Sequence, residues 1–169
     1  ASLEYTIESD PYEEKMVSYI PDGFIGMSGS APGELNSPRG MDIAPDGTIY
    51  AADSLNHRIQ QFSKDGMLIN VWGTFANVLE SDAPGGAFNE PWDVAISPEG
   101  DIFVADTFNH RIQKFDPTGR FLKMWGIFAQ GDSPESFWGP RGIAINVQGD
   151  VFVTDTGNKR VVVFDKDLN

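Results

Sequence analysis

The sequence predicts an all-β fold assembled from repeated four-stranded antiparallel meander sheets, on three observations. One residue pattern recurs three times in register. Turn signals return roughly every 8–12 residues, the spacing of short strands in series. Glycine (18) and proline (11) are abundant in a chain of 169 residues, which favours turns and short strands over helices.

The first unit opens on Pro38-Arg39-Gly40, passes through Pro45-Asp46-Gly47, Asp53 and Asn56-His57-Arg58, and closes on Trp72-Gly73. The second opens on Pro91-Trp92-Asp93, passes through Pro98-Glu99-Gly100, Asp106 and Asn109-His110-Arg111, and closes on Trp125-Gly126. The third runs from Pro140-Arg141-Gly142 through Gln148-Gly149 and Asp155 to Asn158-Lys159-Arg160. Pro38 to Trp72 is 34 positions, as is Pro91 to Trp125, whereas the opening prolines are 53 and 49 positions apart. All the variation falls between Trp-Gly and the next proline. A constant unit joined by variable connectors is what a structural repeat with tolerant loops produces.

Each unit reads as strand a (41–44), a Pro-x-Gly turn, strand b (48–52), a short loop, strand c (58–62), a second turn and strand d (67–72). Proline presets φ and glycine supplies the positive φ that such turns need. About 50 residues per four-stranded sheet, in series, predicts β-propeller blades. A β-sandwich would not need so regular a spacing. The expected divisions are a degenerate partial blade at 1–36, blades at 37–90 and 91–139, and a partial blade at 140–169 without strand d. In the first of these, 5–7, 16–20 and 24–27 are expected as strands b, c and d around a turn at 21–23.

These motifs resemble the NHL repeat family, named for its Asn-His-Leu signature. Lys159 in place of histidine is a departure from the pattern. The resemblance implies a propeller, commonly of six blades, that serves as a binding platform for protein, RNA or small ligands; a minority of members are enzymes, such as amidating lyases. About three and a half blades then form an open arc or part of a six-bladed ring. Propellers protect their edges by closing radially, so the expectation is a segment of a longer protein, with self-association of copies to close the ring as the alternative.

The formal net charge is −13, with 12 Lys+Arg against 25 Asp+Glu. Residues 1–36 hold seven acids against Lys15 alone. Phosphate backbones are bound by Lys and Arg, so this balance argues against nucleic acid as partner. There is no cysteine, which excludes disulfides and thiolate metal sites. No apolar run approaches the ~20 residues of a spanning helix, and no signal peptide is visible. Acidic, cysteine-free propellers of this sort resemble extracytoplasmic bacterial modules.

Asp53, Asp106 and Asp155 at the end of strand b and Arg58, Arg111 and Arg160 at the start of strand c recur in every unit, accompanied by Asn56 and His57, Asn109 and His110, and Asn158. A single active site would not need three copies, so they are expected to form hydrogen-bonded groups that fix the b–c loop and its neighbour. His57 and His110 stand at equivalent places on different units, so a shared metal ion is not expected, and no cofactor is expected either. The resemblance to amidating lyases implies a histidine-rich zinc centre, which two motif histidines do not support. The chain carries no nucleophile elbow or phosphate loop. Function is expected where the units differ. Arg39, Trp92 and Arg141 follow the three opening prolines and should gather where strand a begins. Trp138 also breaks the pattern. These four are the candidate residues for a protein or carbohydrate ligand at the loop face, since aromatics anchor partners and arginine suits anionic groups. The alternative is that each arginine neutralises an acid of its own chain. Phe75 and Phe128 are equivalent in the connectors, as are Phe88 and Phe137, and all four are candidates for packing between blades. The resulting expectation is a non-catalytic binding scaffold. The alternative is part of a propeller enzyme of lyase or hydrolase type whose catalytic residues lie in further blades.

Overall fold

The structure, a computed structural model, describes residues 23–169. The strands are β1 (Pro38–Ile43), β2 (Ile49–Asp53), β3 (Arg58–Phe62), β4 (Leu68–Trp72), β5 (Pro91–Ile96), β6 (Ile102–Asp106), β7 (Arg111–Phe115), β8 (Phe121–Trp125), β9 (Ile127–Phe128), β10 (Ser136–Phe137), β11 (Pro140–Ile145), β12 (Val151–Asp155) and β13 (Arg160–Phe164). They form two four-stranded antiparallel meanders, β1–β2–β3–β4 and β5–β6–β7–β8, and a three-stranded one, β11–β12–β13. The opening strands stack side by side, β1 against β5 and β5 against β11, so the sheets are arrayed as blades.

Burial explains the strand patterns. In β6 all five residues are buried. Ile102 and Val104 face the first sheet's core with Tyr50, Ile59 and Phe88, while Phe103 and Ala105 face the third sheet's core with Phe137, Val153 and Phe164. A strand covered on both faces reads as a continuous apolar run. In β12, Val151 and Val153 are buried while Phe152 and Thr154 are exposed, the alternation of a sheet covered on one side.

Two expectations need correction. Strand a begins at the proline, because Pro38 pairs with Asp53 across an irregularity before Met41, and the same slip recurs at Pro91 and Pro140. A bulge interrupts the alternation on which strand boundaries are read. Residues 24–27 carry no strand pairing among the described residues; Ser28 instead makes a single parallel bridge to Leu35. The rest of the expected first blade, 5–7 and 16–20, lies outside the described residues. The connectors also hold structure the sequence did not announce. Each folds back on itself through a parallel pairing: Ser28 with Leu35, Phe75 with Phe88, and β9 with β10.

That fold-back separates the connector phenylalanines. Phe88 and Phe137 are fully buried, whereas Phe75 and Phe128 are 57% and 45% exposed. The tight ends of the blades depend on glycine. Gly126, at φ +117°, sits so close to the His110 carbonyl and the Phe137 ring that an added Cβ would lie 2.8 Å and 2.7 Å from them; Gly73 repeats this against the His57 carbonyl and Phe88.

Candidate functional site

The loop after each second strand is organised by its terminal aspartate. Asp106 accepts from the backbone N–H of Asn89 (2.7 Å), from Asn109 Nδ2 (3.0 Å), Arg111 Nε (2.8 Å) and Gln113 Nε2 (2.9 Å). Asp53 repeats the set with Asn36, Asn56, Arg58 and Gln60. Asp155 repeats it with Trp138 N–H, Asn158 and Arg160, but Val162 stands where the other units have glutamine. Burial pushes the Asp106 carboxyl up from its ordinary value, with Arg111 pulling the other way. The arginines spend their remaining donors on connector carbonyls: Arg58 on Ser30, Ala31 and Glu34, Arg111 on Pro84 and Ala87, Arg160 on Ser133 and Ser136. These arginines fasten the connector that precedes their own blade, and none faces outward with a free donor fork.

The histidines reach in the other direction. His57 and His110 occupy the left-handed region, at φ +54° and +55°. Each closes a single 3-10 turn, Ser54–Asn56 or Thr107–Asn109. His57 Nδ1 accepts from Glu90 N–H and His110 Nδ1 from Gly139 N–H, both at 3.1 Å. Glu90 and Gly139 are the residues before the next blade's opening proline. The rings rest on Phe75 and Phe128, with centroids 4.7 Å and 4.4 Å apart. Ser54 and Thr107 hydroxyls add bonds to the Pro91 and Pro140 carbonyls. Among the described residues no three His, Cys, Asp or Glu side chains converge as a metal site.

Burial lowers both imidazole pKa values. A histidine whose folded pKa is depressed costs nothing above its unfolded value and loses stability as pH falls through it, because the unfolded chain takes up the proton first. Protonating Nδ1 also removes the acceptor for the next blade's N–H. Urea unfolding midpoints are therefore expected to fall as pH drops below about 6.5. The double variant His57→Asn/His110→Asn should lack that part of the pH dependence.

The residues that differ between blades make a second cluster. Trp92 lies between Arg39 of β1 and Arg141 of β11. The guanidinium carbons sit 3.8 Å and 4.2 Å from its ring centroid, each contact worth about 0.5–1 kcal/mol where partly exposed. The local cause is an Arg-Gly, Trp-Asp, Arg-Gly alternation. Gly40 leaves the space that Asp93 fills: a Cβ on residue 40 would lie 2.0 Å from Asp93 Oδ1 and 2.6 Å from its Cα. Asp93 in turn accepts from Ile143 N–H (2.9 Å), and burial pushes its carboxyl up. Arg39 also pairs with Glu90 at 3.3 Å. The Arg141 side chain makes no hydrogen bond or ion pair among the described residues, only the contact with Trp92.

Trp138 stands outside this stack. Its indole lies over Gly157, where an added Cβ would fall 2.5 Å from the ring, and its backbone is held by Asp155 and Gly157. It shares with Arg141, Phe108 and Thr156 a cleft of about 300 Å³ between the second and third sheets. Phe108 is the residue sequence reasoning missed; it sits inside a repeated turn, where only its divergence from Leu55 and Gly157 marked it.

Repeated antiparallel blades, each holding its preceding connector through an Asp–Asn–Arg group, define a repeat protein of β-propeller architecture. The NHL repeat profile matches residues 35–62, 88–115 and 137–164, and the chain belongs to that family. It is 30% identical over 131 residues to mouse peptidyl-glycine alpha-amidating monooxygenase, covering 74% of this chain and 13% of that protein. It is 32% identical over 120 residues to human NHL repeat-containing protein 3, covering 68% of this chain and 33% of that protein. The chain thus spans a third or less of the length of these relatives. Among solved structures, a streptogramin B lyase superposes with a TM-score of 0.59 at 21% identity, covering 86% of this chain and 41% of that one. The hydrazine synthase of Kuenenia stuttgartiensis superposes at 0.60 with 15% identity, covering 89% and 37%. At these identities the likeness is one of fold.

Proposed function

We propose that this chain is a non-catalytic binding segment of a larger propeller protein, taking a protein or glycan ligand at the face formed by its blade-opening residues. The observation that carries the reading is the stack of Arg39 and Arg141 on Trp92. It breaks the repeat, takes no part in the Asp–Asn–Arg groups, and brings two guanidinium groups together in a strongly acidic chain. Planar guanidinium groups held on an aromatic face are preorganised to receive an anionic partner. The enzymatic alternative rests on the names of relatives and neighbours, whose activities belong to those proteins; the binding reading rests in addition on the geometry of this chain.

Selection of a displayed peptide library and a glycan array on the protein tests it. Ligands are expected that lose binding to Arg39→Ala/Trp92→Ala/Arg141→Ala. Arg39→Gln/Arg141→Gln should lose them too while keeping the indole in place, which guards against a loss caused by unfolding. Ligands that bind parent and both variants equally would overturn the site.

A further inference from the structure

The cleft between the second and third sheets is walled by Trp138 and Phe108, 39% and 42% exposed, and edged by Arg141 and the threonines Thr107 and Thr156. Its cation is unusual in this chain. Of the six arginines, Arg39, Arg58, Arg111, Arg120 and Arg160 each pair with a carboxylate, and Arg141 alone has none among the described residues. Its guanidinium is nonetheless held in place, 4.2 Å from the Trp92 centroid, so docking an anion there costs less ordering than on a free side chain. Trp138 is equally fixed, by two backbone hydrogen bonds and by the close seat on Gly157.

We propose that this cleft binds a carboxylate-bearing peptide segment, the carboxylate on Arg141 and a neighbouring apolar side chain against Trp138 and Phe108. The proposal rests on the binding reading above and names its ligand class. A neutral glycan is the poorer fit, because none of the cleft's lining residues is an Asp, Glu, Asn or Gln to accept from sugar hydroxyls. A polyanion is poorer still, since one guanidinium in a chain of net charge −13 faces repulsion at every further phosphate.

Three probes test it by indole fluorescence: N-acetyl-Phe-Glu-amide, N-acetyl-Phe-Gln-amide, and N-acetyl-Phe with a free carboxylate. The glutamate peptide should bind roughly tenfold more tightly than the glutamine peptide, the worth of one charge-assisted pair. Tightest binding of the free-carboxylate probe would also support the proposal, with a chain terminus as the source. Arg141→Gln should abolish the acid preference and leave the glutamine peptide unaffected, whereas Trp138→Ala should weaken every probe alike. Equal affinity for acid and amide, no binding of any probe, an acid preference that survives Arg141→Gln, or stronger competition by an oligosaccharide or oligonucleotide would overturn it. Library ligands that depend on Arg39 and Trp92 yet carry no carboxylate would sink this assignment and leave the broader reading standing; absence of any such ligand would remove both.

Discussion

Asp106→Ala is expected to cost about 3–5 kcal/mol of folding stability, because it leaves a buried guanidinium without its carboxylate. Asp106 is fully buried and the Arg111 side chain is 5% exposed. The substitution strands four donors at once, from Asn89, Asn109, Arg111 and Gln113. The equivalent substitutions should be graded. Arg58 is 11% and Arg160 22% exposed, so water can take up more of the loss, and Asp155 has one donor fewer to abandon. The expected order of destabilisation is Asp106→Ala, then Asp53→Ala, then Asp155→Ala, read as urea midpoints. Equal effects, or the reverse order, would show that burial of the partner does not govern the cost.

Phe137→Ala should destabilise by about 3–5 kcal/mol, the usual cost of opening a phenylalanine-sized cavity in a core. Phe137 is completely buried, meets Trp125 edge-on with centroids 4.8 Å apart, and lies 6.1 Å from Phe164. It therefore joins the second sheet to the third. Phe128→Ala, nine positions earlier in the same connector, should cost much less, since that ring is half exposed and rests on His110 alone among the aromatics. Calorimetric melting of both variants checks the contrast, and a comparable fall in Tm for the two would contradict it.

That contrast shows where sequence reading stops. Phe75, Phe88, Phe128 and Phe137 are equally aromatic and equally regular in spacing, and nothing local separates them. The separation comes from the parallel pairing of each connector's two ends, a contact between residues about ten apart that leaves no periodic trace. Phe108 was hidden differently, because a turn that repeats draws attention to its constant residues and away from the variable one.

The sequence by itself determined the repeat, the turns, strands c almost to the residue, and the division of labour between constant and variable positions. These are local properties: alternation, proline and glycine chemistry, and fixed spacing act over a few residues and survive any tertiary arrangement. It also brought Arg39, Trp92 and Arg141 under suspicion together, since equivalent positions on successive blades must lie near one another. Only the tertiary structure decided that the two guanidinium groups stack on the indole, that Glu90 pairs with one of them, and that Trp138 turns away to share its cleft with Arg141. Those outcomes depend on the side-chain directions and close approaches set by Gly40, Asp93 and Gly157 across neighbouring sheets, which no pattern along a single strand contains.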